Sequence, residues 1–255
     1  MRIYPFNFVY LCLMLLGVAA VLLIWRSLRD KPEQTRKSFL VGLCAANIVL
    51  YFVYKGLLSV DAEFVAVSGL ERFNWFNELP LQLCNINLFL IPIGVMTGKR
   101  GILGFSFFIA PLAALLALLF PEAAFVGYSL TQPRIIGFYL THLLIVICGL
   151  SLLTLGFYCP DFKDFPGIVA AFIVLSLGAH IVNIVLRHTV CPQADYFFTF
   201  GADISILNLL WRLIPIPYVY LLPGLIVLLA YMTLVTFGVR AVMTAADKRA
   251  AEPVV

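Results

Sequence analysis

Seven runs of about 20 apolar residues, each bracketed by charge or by Gly/Pro, constrain this chain more than any motif does. They cover residues 6–25, 38–59, 79–97, 102–120, 135–156, 166–187 and 216–243. Runs of that length cross a bilayer as helices, because a backbone in hydrocarbon must satisfy its polar groups internally. The alternating pattern of a barrel strand is absent. The expected fold is therefore all-α: a polytopic, seven-transmembrane-helix bundle over residues 1–244, with a frayed tail at 245–255. Composition agrees, since 63% of residues are hydrophobic and 12% charged, against roughly 45–50% and 25% in soluble domains. So few charges exclude a nucleic-acid binder, a disordered chain and a secreted disulfide scaffold.

Loop charges orient the bundle. Arg26, Arg29, Lys31, Arg36 and Lys37 follow the first run, Lys99 and Arg100 the third, Lys163 the fifth, and Arg240, Lys248 and Arg249 the last. The other face carries Arg2, Arg72, Arg134, Arg187 and Arg212 among acidic residues. The positive-inside rule puts the amino terminus outside and the carboxyl terminus in the cytoplasm, and explains the net charge of +4 without a polyanion partner. The expected location is a membrane, crossed several times. The first run is too long for a signal-peptide core and reads as a retained anchor. The outer loops 61–78 and 188–215 carry aromatic clusters expected to lie along the interface, with Asp203 capping a short helix to Leu213.

Polar residues at membrane depth are costly and tend to face a cavity or a partner. The third run contains Gln82, Cys84, Asn85 and Asn87, the fifth His142, and the sixth His180 and Asn183. With the orientation above, Cys84 and His142 lie roughly 8–10 Å below the outer face, and His180 and Asn183 roughly 6–11 Å below it. No inner-leaflet half carries a comparable set. Singly, each has a plain packing role: cysteine as a small hydrophobe, histidine bonded to a carbonyl, asparagine joining helices. Together they predict an outward polar pocket. A thiol needs a base to become a nucleophile, and a histidine within hydrogen-bond reach is one. The amides of Gln82, Asn85, Asn87 and Asn183 are placed to bind substrate, orient the imidazole or donate to an oxyanion. Which histidine partners Cys84 is left open by the spacing. Lys55, near the outer end of the second run, is expected to snorkel to the interface. No metal or cofactor is expected, since the cysteines are scattered and no further carboxylate or thiolate sits near the set.

The run Leu79-Pro80-Leu81-Gln82-Leu83-Cys84, then Leu90-Ile91-Pro92, Tyr139-Leu140-Thr141-His142 and Asn183, resembles the bacterial YwaF-like family of integral membrane proteins. That family is distantly similar to eukaryotic transmembrane acyltransferases that remodel ether phospholipids through a Cys and a downstream His. The resemblance implies Cys84 as the acyl-accepting nucleophile and His142 as the base, with membrane lipids as substrate and the bacterial cytoplasmic (inner) membrane as the location; His180 and Asn183 are expected in support. The expected function is thus acyl transfer (or hydrolysis) on phospholipid chains. The alternative is a carrier or binding protein whose outward cavity holds a small solute or lipid. A retinal protein is excluded, because residues 216–243 contain no lysine for a Schiff base.

Overall fold

The computed structural model describes residues 2–69, 71–201 and 205–251. In chain order its helices are α1 (Phe8–Leu28), α2 (Glu33–Leu58), α3 (Ala62–Val67), α4 (Asn87–Thr97), α5 (Arg100–Leu119), α6 (Pro133–Thr154), α7 (Phe165–Thr189), α8 (Ser205–Leu213) and α9 (Gly224–Ala251). Extended pairing among the described residues is limited to one bridge, Arg2 with Ser129. Six helices, α1, α2, α5, α6, α7 and α9, are long and apolar enough to cross a membrane. Each contains one of the expected runs or most of it.

The third run is the exception. Of residues 79–97 only Asn87–Thr97 is helical, about 16 Å of helix where the hydrocarbon core needs about 30 Å. Residues 79–86 form consecutive turns instead. Pro80 has no N–H to give a helix, and the side chains of Gln82 and Asn85 bond elsewhere. Hydropathy counted this segment as a span because apolar turns and apolar helix score alike. Irregular backbone at membrane depth is tolerated only where protein surrounds it, and here it is wrapped by α2, α6 and the loop after α7.

α6 is the central post. Of its most apolar stretch 72% is buried, against 17% for α1. It packs on α5, α2 and α1, while α4 fills the angle between α2 and α5. Two glycines of α6 set the closest approaches. The Tyr54 ring occupies the space a side chain at Gly137 would take, and Pro111 of α5 lies 2.8 Å from where a Cβ at Gly149 would stand.

The chain ends lie at opposite ends of the bundle. The Ile3 amide donates to the Tyr128 carbonyl (3.0 Å) in the α5–α6 connection, whereas Arg240 of α9 pairs with Asp161 (3.1 Å) in the α6–α7 connection. We call these the amino-terminal and carboxyl-terminal faces. α9 runs to Ala251, past the expected end of the last run. Residues 252–255 of the expected tail, and Asp203, lie outside the described residues.

The aromatic loops only partly form an interfacial belt. Trp75 and Phe76 are exposed, but Phe64, Tyr196 and Phe197 are buried in the bundle. The 61–67 segment is fastened by Arg134, which is 1% exposed and lies 2.9 Å from Glu63, 3.4 Å from Asp61 and 4.0 Å from the centre of the Tyr128 ring.

Candidate functional site

The turn segment 79–86 carries the thiol, and its anchors explain how it is held without helical hydrogen bonds. At its start Glu78 forms an ion pair with Lys55 of α2, and its carbonyl accepts from the Tyr51 hydroxyl at 2.9 Å. The Leu79 amide donates to the Tyr196 hydroxyl (3.0 Å), which itself donates to the Phe76 carbonyl (2.7 Å). Midway, the Gln82 amide donates to the Asp195 carbonyl (3.3 Å) and accepts from the Phe197 amide (3.0 Å). Asn87, at the first turn of α4, donates to the Leu83 carbonyl (2.9 Å). Gln82 and Asn87 therefore fix the backbone around Cys84.

Between these anchors Cys84 Sγ lies 3.5 Å from His142 Nε2 and 3.5 Å from Asn85 Oδ1. Both residues of the thiol–imidazole pair are buried, at 9% and 7% exposure, so bulk water does not separate them. The other ring nitrogen decides the tautomer. His142 Nδ1 is 2.8 Å from the Phe138 carbonyl, which can only accept, so in the neutral ring Nδ1 carries the hydrogen. Nε2 then presents its lone pair to the sulfur. The imidazole is also pinned from above: its ring centre is 4.5 Å from that of Phe138, on which Phe125 stacks at 4.2 Å and 11°.

A charged layer covers this pair toward the amino-terminal face. Lys55 and Glu78 are largely buried together, and the Lys55 ammonium sits 4.8 Å from the Tyr54 ring centre and 5.5 Å from that of Tyr51. Lys55 thus points inward, against the snorkelling expectation, because Glu78 offers a counter-charge inside.

His180 and Asn183 build a different station. Asn183 donates to the Tyr196 carbonyl (2.8 Å) and Thr199 Oγ1 (2.9 Å), and accepts from the Tyr196 amide (2.8 Å). His180 Nδ1 is 2.9 Å from Thr199 Oγ1, and the ring stacks on Phe200 at 5.0 Å. Their bonds go to the 195–200 loop and not to the thiol, so the expected convergence of three runs divides in two. Cys84, Asn85 and His142 meet; His180 and Asn183 clasp the loop that in turn holds Gln82. Sequence reasoning missed the role of Glu78. A pointer was present: Lys55 is a cation inside an apolar run, and Glu78 directly precedes the Cys84 segment. Among the described residues no group of three or more His, Cys, Asp or Glu converges as a metal site.

Long apolar helices around an internal thiol–imidazole contact define a multi-pass helical membrane protein. Residues 4–236 match the TMEM164 family, a transmembrane protein family, and the chain belongs to it. No curated protein matches the chain, and no solved structure does.

Proposed function

We propose that this protein is a membrane acyltransferase acting on phospholipid acyl chains, with Cys84 as nucleophile and His142 as base. In this reading it crosses the bacterial cytoplasmic membrane seven times, the third crossing made by the 79–86 turns together with α4. The basic carboxyl-terminal face is cytoplasmic and the site opens to the outer leaflet. The observation that carries the reading is the 3.5 Å contact between Cys84 Sγ and the lone-pair nitrogen of His142. A separate apolar groove of about 240 Å³ runs between α1 and α6, lined by Leu13, Met14, Ile136, Tyr139 and Leu143; neither Cys84 nor His142 lines it.

Two half-reactions follow. Nε2 of His142 takes the thiol proton as the sulfur attacks an ester carbonyl; Asn85, whose Oδ1 faces the sulfur, would donate to the oxyanion once its amide is turned to present Nδ2. The tetrahedral adduct collapses by breaking the ester C–O bond. His142 returns its proton to the departing lysophospholipid oxygen, leaving a Cys84 thioester. An acceptor hydroxyl, deprotonated by His142, then attacks the thioester; the C–S bond breaks and the thiol regains its proton. Water in place of the acceptor gives hydrolysis.

The test is transfer of a labelled acyl chain between phospholipids in reconstituted vesicles. Cys84→Ala abolishes it, and His142→Ala lowers it about 10²–10⁴-fold, with both variants folded by thermal unfolding. An unchanged rate in Cys84→Ala overturns the proposal. Solute uptake that survives the same change would favour the carrier reading.

A further inference from the structure

Cys84 and His142 are both buried, so a phospholipid ester reaches the sulfur only when part of the cover moves. Toward the amino-terminal face that cover is a ladder of rings. The Phe138 ring centre is 4.5 Å from that of His142, Phe125 stacks on Phe138 at 4.2 Å, and Phe64 lies 6.0 Å from Phe125. Phe64, the last of these rings, belongs to α3.

α3 is the most lightly held part of the cover. Of its six residues Phe64 alone is buried, while Ala62, Glu63, Ala66 and Val67 are exposed. The connection that carries Phe125 is tied into the bundle. There the Gly127 amide donates to the Ile3 carbonyl (2.7 Å), the Ile3 amide to the Tyr128 carbonyl (3.0 Å), and the Tyr139 hydroxyl to the Phe125 carbonyl (3.3 Å). The backbone hydrogen bonds of α3, among the described residues, stay within residues 58–69. Beyond Phe64 the helix is fastened by charge: Asp61 and Glu63 lie 3.4 and 2.9 Å from Arg134, in the first turn of α6. The Arg134 side chain is 1% exposed, and the two carboxylate side chains are 28% and 53% exposed. Carboxylates this close to water give up little on release. A segment with so few buried contacts opens well before the molecule unfolds.

We infer that α3 is a lid over the thiol–imidazole pair, latched by the ion pairs of Arg134 with Asp61 and Glu63 and plugged by Phe64. Lifting it withdraws the Phe64 ring from Phe125, which frees Phe125 and Phe138 to swing off the imidazole. The uncovered guanidinium then meets water and keeps the Tyr128 ring face, 4.0 Å away. The lid rests on the acyltransferase reading for its purpose, which is to admit lipid and then exclude water from the thioester. Its closed geometry requires only that Cys84 be a thiol.

The experiment reconstitutes the full chain in phosphatidylcholine nanodiscs and follows alkylation by N-ethylmaleimide at each cysteine by peptide mass spectrometry. Cys84 reports the lid, and Cys148, buried further along α6, reports general loosening. Glu63→Gln and Asp61→Asn weaken the latch, the second keeping an acceptor for the Phe64 amide. Phe64→Ala removes the plug, and Asp30→Asn, in an exposed pair with Arg29, controls for charge. Alkylation of Cys84 should speed up about threefold in each latch variant and at least about tenfold in Phe64→Ala. Cys148 should not change in any of them, nor Cys84 in Asp30→Asn. An unchanged Cys84 rate in the latch variants and Phe64→Ala, or an equal rise at Cys148, would overturn the lid. Transfer of a labelled acyl chain is measured alongside. Faster alkylation in the variants of a protein that transfers no acyl chain would support the lid and remove the acyltransferase reading. Transfer by the wild type, with Cys84 alkylation untouched by every variant, would keep that reading and remove the lid.

Discussion

His142 owes its orientation to a carbonyl one helical turn away. By taking the Nδ1 hydrogen, the Phe138 carbonyl leaves Nε2 as the acceptor that faces Cys84, a task for which many Cys–His sites use a side-chain amide or carboxylate. Such a partner cannot be removed by mutation, so the orientation survives changes in neighbouring side chains. Asn183 makes the contrasting case, because all three of its bonds run to the 196–199 loop. Asn183→Ala strands the buried Tyr196 amide and carbonyl and should cost about 1–3 kcal/mol, seen as a lower unfolding temperature and faster proteolysis near residue 196. Asp195 adds a pH dependence. Burial pushes its carboxyl up to about 6 from 3.8, so the folded state binds this proton more tightly than the unfolded chain. The contribution is complete below the unfolded value and is lost as pH rises from about 4 to about 6. Unfolding temperatures across that range should decline more in the wild type than in Asp195→Asn, which keeps an acceptor for the Phe200 amide. Parallel curves would remove Asp195 as the cause.

At the scale of elements, the turn segment 79–86 and the helices around it decide where the thiol stands. Gly137 allows α2 to seat Tyr54 against α6 above His142. Gly137→Ala places a methyl group in that ring and should destabilise by about 1–3 kcal/mol, while Gly178→Ala, with open space around it, should be near neutral. The Lys55–Glu78 pair gives a second test. Glu78→Gln leaves a buried cation uncompensated, about 3–5 kcal/mol, whereas Lys55→Met combined with Glu78→Gln should recover much of the loss. Additive losses would mean that the pair does not act as a unit. The six long helices were legible because hydropathy reports immersion in hydrocarbon directly. The break at residues 79–86 was not, since it depends on Tyr51, Tyr196 and the 195–197 loop, distant in sequence, replacing the helical hydrogen bonds. For the same reason the polar residues of the third, fifth and sixth runs could be assigned a common layer but not sorted into a Cys84–His142 contact and a separate Asn183 clasp.

For the whole molecule, central α6 joins the two ends of the bundle. One end holds the thiol–imidazole pair beneath the Lys55–Glu78 ion pair, and the other holds a polar cavity at the ends of α4 and α6. If the amino-terminal face is extracytoplasmic, a cysteine-reactive, membrane-impermeant label applied to intact cells should reach a cysteine placed at the exposed Val60 and not one placed at the exposed Lys31. The reverse pattern would invert the topology. The central claim is that the Cys84 sulfur takes an acyl group because His142 removes its proton. Its most direct test is peptide mass spectrometry of the reconstituted protein after incubation with phospholipid. The account predicts a hydroxylamine-labile acyl mass on the Cys84 peptide of the wild type and none in His142→Ala. Lipid remodelling that proceeds with an unmodified Cys84, or an equal adduct without His142, would contradict it.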